Sequence, residues 1–229
     1  MKISTMYQSL AMLFMVTLVF VSCKNETTEK EPIQEADSKD MAVKQTRSAT
    51  ALGYGIGDVA TDFKLKDVDG DMVSLSDYDE AQGFIVIFTC NTCPFAVASE
   101  DRINALDAKY KDQGYPVIAI NPNDPAVQPD DTYELMQAKA ADKKFTFPYL
   151  YDANDKVYAA YGATKTPHVY LLKKEKGLNI VKYIGAIDDN VRNGDAVKEQ
   201  FLANAIDALL QGKEIKVKET KAIGCSIKV

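Results

Sequence analysis

Two cysteines three positions apart, in Cys90-Asn91-Thr92-Cys93-Pro94, are the residues whose type and spacing most directly suggest chemistry. A pair at this spacing suits reversible thiol–disulfide exchange, a metal clamp or a static disulfide. Two sulfurs supply only half of a tetrahedral zinc site, and the sequence has neither a second close cysteine pair nor a spaced histidine pair to complete one. That leaves redox exchange as the leading chemistry, with no cofactor and no resident metal expected. The elements around the pair fit it. Phe84-Ile85-Val86-Ile87-Phe88 is a continuous apolar run, as in a strand covered on both faces. Ile103, Leu106 and Tyr110 recur at spacings of three and four, which marks one face of a helix, and Pro94 suits a first helical turn. A dithiol at such a strand-to-helix junction places the first sulfur beside unpaired helix N–H groups that favour a thiolate. Cys90 is therefore the candidate nucleophile, expected to be the more exposed thiol. Cys93, one turn in, is the expected buried resolving partner. Glu100, seven residues past Cys93, returns to the same helix face and is a candidate base.

The chain has 229 residues with a net charge of −6, enough for one domain with extensions and without the basic surface that nucleic acid demands. Residues 1–22 read as a signal peptide, with an apolar block from Leu10 to Val21 too short to span a bilayer comfortably. The block ends in Phe20-Val21-Ser22-Cys23, which resembles a bacterial lipobox and implies acylation of Cys23. Residues 23–52 are rich in Glu, Asp, Lys, Thr and Ser without apolar periodicity, as in a disordered tether. The expected location is the cell envelope, with the domain held to a membrane by Cys23.

Residues 53–212 read as one α/β domain. An N-terminal β-hairpin is expected between Gly57 and Leu75, and a βαβ unit from Phe84 to Ile120. A proline-rich loop comes next, then a helix over 132–142 with Leu135 and Met136 turned to the core. Val157 to Tyr161 forms a short helix stopped by Gly162. A hairpin joins Val169–Leu172 to Ile180–Ile184, and an amphipathic helix over 195–210 closes the domain.

Strand, Cys90-x-x-Cys93, helix and, far downstream, Thr166-Pro167 before another apolar strand resemble the thioredoxin superfamily, in particular its TlpA/ResA-like and AhpC/TSA-like redoxins. The resemblance implies a central mixed β-sheet flanked by helices, with the hairpin and the helical insertion as redoxin additions. It also implies a cis bond at Thr166-Pro167, which exposes the Thr166 backbone to hydrogen-bond an extended substrate beside the dithiol. The implied activity is that of a thiol–disulfide oxidoreductase acting on protein or small-molecule disulfides and recharged by an envelope electron donor. Two alternatives accompany it. Relatives of this fold that deliver copper use two cysteines and one histidine, and His168, the single histidine, follows Pro167. A thiol peroxidase is the other, but its Pro-x-x-x-Thr-x-x-Cys motif is absent and only Arg47, Arg102 and Arg192 exist to polarise a peroxide.

The tail, 213–229, carries Ile223-Gly224-Cys225-Ser226-Ile227 and is expected to be extended and partly docked. Cys225 reads either as a small buried apolar side chain or as a third redox thiol. The Gly-Cys-x-Ile ending resembles redoxin-like relatives, some lacking the first cysteine of the pair, which implies a tail cysteine working with the position of Cys93.

Overall fold

The computed structural model describes residues 53–229 except 153 and 155; the expected signal peptide, Cys23, the tether and Arg47 lie outside the described residues. In chain order the elements are β1 (Val59–Ala60), β2 (Lys64–Asp67), β3 (Met72–Ser74), β4 (Gly83–Phe88), α1 (Pro94–Val97), α2 (Glu100–Tyr110), β5 (Val117–Asn121), α3 (Tyr133–Lys143), β6 (Tyr149–Tyr151), α4 (Val157–Tyr161), β7 (Lys165–Thr166), β8 (His168–Glu175), β9 (Leu178–Gly185), α5 (Phe201–Leu210) and β10 (Cys225–Ser226). Eight strands form one sheet in the order β1-β9-β8-β4-β5-β6-β2-β3, and β10 pairs with β7 in a separate ribbon. Strands β4, β5 and β6 run parallel, while β8 and β9 are antiparallel. This is the expected mixed sheet flanked by helices.

Strand β4 is central and every residue in it is buried. Alternation divides its side chains between two cores. Ile85 and Ile87 pack with Ile103, Leu106 and Tyr110 of α2 and with Leu202 and Ile206 of α5. Phe84, Val86 and Phe88 pack on the other face with Leu150, Tyr161 and Tyr170. A strand buried on both faces has no room for a polar side chain, so its carboxyl end is a rigid platform for the turn that carries the cysteines. The N-terminal extension also does more than form a hairpin: β1 joins the β9 edge and β2 joins the β6 edge.

Three expectations are corrected. The helix after the cysteines is broken at Ala98 and Ser99, because Ser99 Oγ donates to the Phe95 carbonyl at 2.8 Å and competes with the helical ladder. The last helix begins at Phe201, not 195. Gly194–Ala196 make a single 3-10 turn that stops at Val197, and the residues after it are tied off where the Asp189 N–H donates to the Glu199 carbonyl (3.0 Å) and the Lys198 N–H to Asp189 Oδ1 (2.9 Å). In α3, Met136 is buried but Leu135 is exposed, since consecutive helical residues point about 100° apart and only one can face the sheet.

Candidate active site

Strand β4 delivers the dithiol turn. The turn is tied down at its middle: the Asn91 N–H donates to Asp131 Oδ1 (2.7 Å), Asn91 Nδ2 to the Asp130 carbonyl (2.8 Å), and the Asn91 carbonyl accepts from Lys139 Nζ (2.7 Å). The Tyr149 hydroxyl donates to Asn91 Oδ1 at 3.0 Å. Asp131 is fully buried and also accepts from Asn121 Nδ2 (3.2 Å) and Asn123 Nδ2 (2.6 Å). None of these anchors carries a sequence signal, because an Asp in a Pro-Asp-Asp loop reads as solvated and an isolated Lys on a helix as surface.

The structure differs from expectation on the two sulfurs. Cys93, not Cys90, is the residue that caps α1, and both are buried, at 4% exposure for Cys90 and 5% for Cys93. The Cys225 N–H donates to Cys93 Sγ at 3.4 Å, and the Cys90 thiol, the Cys225 thiol and the Ala96 N–H lie near enough to favour its charged form. The Cys90 hydrogen bond is the largest of these influences, and together they pull the Cys93 thiol well below its ordinary range despite its burial. Cys90 moves the opposite way, raised first by that same hydrogen bond, then by burial, with a smaller push from the Asp131 charge. When protonated, Cys93 donates to the Thr166 carbonyl at 3.2 Å, and as a thiolate it keeps the Cys225 N–H. The two thiols are thus shifted in opposite directions, Cys93 down and Cys90 up.

Thr166 touches both sulfurs, its Oγ1 lying 3.2 Å from Cys90 Sγ, and the Thr166-Pro167 bond is cis. Cys225 also arrives here. In the β7–β10 ribbon it stands opposite Thr166, and its side chain packs against the cluster of Cys90, Cys93 and Ala96. Cys225 is half-buried, and its thiol is raised to about 11, first by desolvation and then by the neighbouring Cys93 sulfur. The structure therefore gathers Cys90, Cys93, Thr166, Pro167 and Cys225.

Glu100 and His168 are engaged elsewhere. Glu100 is buried and pairs with Lys139 Nζ at 2.6 Å. His168 Nδ1 accepts from the Thr164 N–H at 3.4 Å, and its ring lies 5.0 Å from that of Tyr170. Among the described residues no three His, Cys, Asp or Glu side chains stand where they jointly hold a metal ion, so the copper alternative on Cys90, Cys93 and His168 has no assembled site. Arg102 is committed to Asp188 and three backbone carbonyls, and Arg192 lies over the Phe95 ring at 4.6 Å.

Burial lowers the His168 pKa from 6.5 to about 4. Below pH 6.5 the unfolded chain takes up a proton that the folded chain refuses, so this histidine's contribution is complete above pH 6.5 and is lost as pH falls toward 4. The expected loss is up to roughly 3 kcal/mol. Urea unfolding of wild type and His168→Gln across that range checks this, because the difference between their stabilities must change with pH; a constant difference rejects the assignment.

The AhpC/TSA family model matches residues 56–184. Thiol-disulfide oxidoreductase ResA of Halalkalibacterium halodurans is 29% identical over 119 residues, covering 52% of this chain and 62% of that protein. Probable glutathione peroxidase 2 of Arabidopsis thaliana is 32% identical over 117 residues, covering 51% of this chain and 66% of that protein. The chain thus spans less than two thirds of the length of these curated relatives. Among solved structures, an uncharacterized conserved protein from Geobacillus kaustophilus is 35% identical with a TM-score of 0.71, over 77% of this chain and 93% of that one.

Proposed function

The chain belongs to the AhpC/TSA family, and from that membership and the geometry of its cysteines we propose a thiol–disulfide oxidoreductase whose nucleophile is Cys93 and whose resolving thiol is Cys90. The observation that carries the reading is that Cys93 stands at the start of α1 and its Sγ accepts the Cys225 N–H at 3.4 Å, with Cys90 packed beside it. Cys93 thiolate attacks one sulfur of a substrate disulfide, and the other sulfur leaves as a thiolate that takes up a proton. Once Cys93 is in the mixed disulfide it no longer accepts the Cys90 hydrogen bond, so the largest influence holding Cys90 protonated disappears. Cys90 then loses its proton, attacks Cys93 Sγ and expels the second substrate thiolate, leaving a Cys90–Cys93 disulfide. The Asn91 anchors hold the turn still while its sulfurs change partners. An electron donor of the same compartment returns the pair to the dithiol.

The assay is reduction of cystine by the reduced protein, with the Cys90–Cys93 disulfide located afterwards by peptide mapping. Reduction with that linkage supports the reading, and a protein inert toward cystine overturns it. A peroxidase is the second reading, favoured by similarity to a plant glutathione peroxidase. Consumption of hydrogen peroxide faster than cystine would select it.

The domain is proposed to work at the cell envelope, tethered by an acylated Cys23. This rests on the apolar block Leu10 to Val21 running into Phe20-Val21-Ser22-Cys23. Expression of Cys23→Ala should move the protein from the membrane fraction to the soluble fraction; equal membrane association in both forms refutes the tether.

A further inference from the structure

Cys93 is buried because the chain's own C-terminal segment lies over it. Strand β10 pairs antiparallel with β7 so that Cys225 stands opposite Thr166 and Ser226 opposite Lys165. The fit is close. A Cβ on Gly224 would come within 2.2 Å of the Thr166 carbonyl oxygen and 3.1 Å of Pro167 N, so only glycine lets the tail approach this peptide. The Ile227 N–H donates to the Thr164 carbonyl (3.3 Å), the Lys228 N–H to Asn123 Oδ1 (2.9 Å), and the Asp124 N–H to the Lys228 carbonyl (2.7 Å). Lys165 Nζ donates to Ser226 Oγ at 3.0 Å.

Upstream, the segment is anchored firmly at Thr220. The Thr220 N–H donates to the Ile184 carbonyl at 2.9 Å, and Thr220 Oγ1 accepts from the Ala186 N–H at 2.9 Å. Between Thr220 and Cys225 no strand or helix is formed, and Ile223 is 48% exposed. The segment is a short strap, fixed at Thr220 and latched at 225–228 by hydrogen bonds worth about 1 kcal/mol each. Its local opening costs far less than unfolding the double core beneath.

We propose that residues 221–229 are an internal substrate: β10 occupies the Thr166 edge that would otherwise pair with an extended polypeptide, and Cys225 presents a third thiol to Cys93. This rests on the Cys90/Cys93 exchange reading and adds its regulation. Cys225 Sγ, on giving up its proton, attacks Cys93 Sγ of the Cys90–Cys93 disulfide. The Cys93–Cys225 bond forms, the Cys90–Cys93 bond breaks, and Cys90 takes the proton, so the step is an isomerisation that needs no outside oxidant. An external disulfide reaches Cys93 only when the strap is lifted, and a polypeptide must displace β10 to pair with Thr166.

The test uses the full chain and Gly224→Val, which keeps all three cysteines and removes the close approach to Thr166. Ile227→Pro, which deletes the N–H bonded to Thr164, is the second variant, and near-ultraviolet circular dichroism verifies that both variants stay folded. In wild type oxidised with cystine, peptide mapping should find Cys225 linked to Cys93 in part of the protein. In both variants that linkage should fall, and alkylation of reduced Cys93 by iodoacetamide and reduction of insulin disulfides should each rise by about tenfold, the effect of losing one or two latch hydrogen bonds. Cys225 never found in a disulfide, or Cys93 alkylated equally fast in wild type and variants, overturns the strap. Failure of wild type and variants alike to reduce cystine overturns the underlying exchange reading, while the alkylation rates still decide the strap.

Discussion

Cys93→Ser abolishes disulfide exchange, lowering cystine reduction by at least about a thousandfold, whereas the double variant Cys90→Ser, Cys225→Ser leaves a protein that attacks but does not finish. The asymmetry comes from the different surroundings of the two sulfurs. Cys93 Sγ accepts the Cys225 N–H at the start of α1, while Cys90 lies within the influence of the buried Asp131 carboxylate, which disfavours a negative charge there. A serine at 93 has no accessible anion to offer. A serine at 90 removes one resolving sulfur and a serine at 225 removes the other thiol packed against Cys93, so in the double variant substrate remains bonded to Cys93. Mass spectrometry of each variant after one exposure to cystine decides between them, because a mixed disulfide with cysteine should accumulate on Cys93 in the Cys90→Ser, Cys225→Ser double variant. An adduct on Cys90 in Cys93→Ser, with retained turnover, would give the roles the other way round and reject the proposed mechanism.

Asp131→Ala should be the most destabilising change at the site without touching a sulfur. Asp131 is fully buried, and its carboxylate receives the Asn91 N–H and the side-chain amides of Asn121 and Asn123. Removing it strands three donors in a dry interior at roughly 1–3 kcal/mol each before relaxation and water entry, so a loss of about 3–5 kcal/mol is expected. For a domain of this size that is a fall of about 10 °C in Tm. The chemistry should change too. Loss of the negative charge near Cys90 removes one of the influences that raise its thiol, after the Cys93 hydrogen bond and burial, so Cys90 should alkylate at lower pH. Asp131→Asn keeps the volume and separates the effects, since its amide accepts from one donor while its own N–H groups face the others. Thermal unfolding paired with the pH profile of alkylation is the measurement; an unchanged Tm in Asp131→Ala shows that the donors find other partners.

The scaffold and the candidate dithiol were both readable in the amino-acid pattern. An unbroken apolar run from Phe84 to Phe88 suits a strand buried on both faces, and a cysteine pair at its end marks a site, so the mixed sheet and the dithiol were legible. Thr166-Pro167 was legible as well, through the resemblance to thioredoxin-like proteins that the pair carries together with the dithiol. Spacing left open everything that depends on contacts between residues far apart in sequence. The surroundings of the two sulfurs were decided by the start of α1 at Pro94, which makes Cys93 the cap, and by an N–H donated to Cys93 from residue 225. The anchor at Asp131 lies 40 residues from Asn91, whose N–H it accepts. Cys225, which local pattern reads equally well as a buried apolar side chain, acquires its place only because a tail too short to form a core of its own pairs with β7 beside Thr166. Periodicity and spacing report which face of an element is apolar; charge and access at a sulfur are set by whatever the fold brings within about 4 Å of it, and only the tertiary structure supplies that.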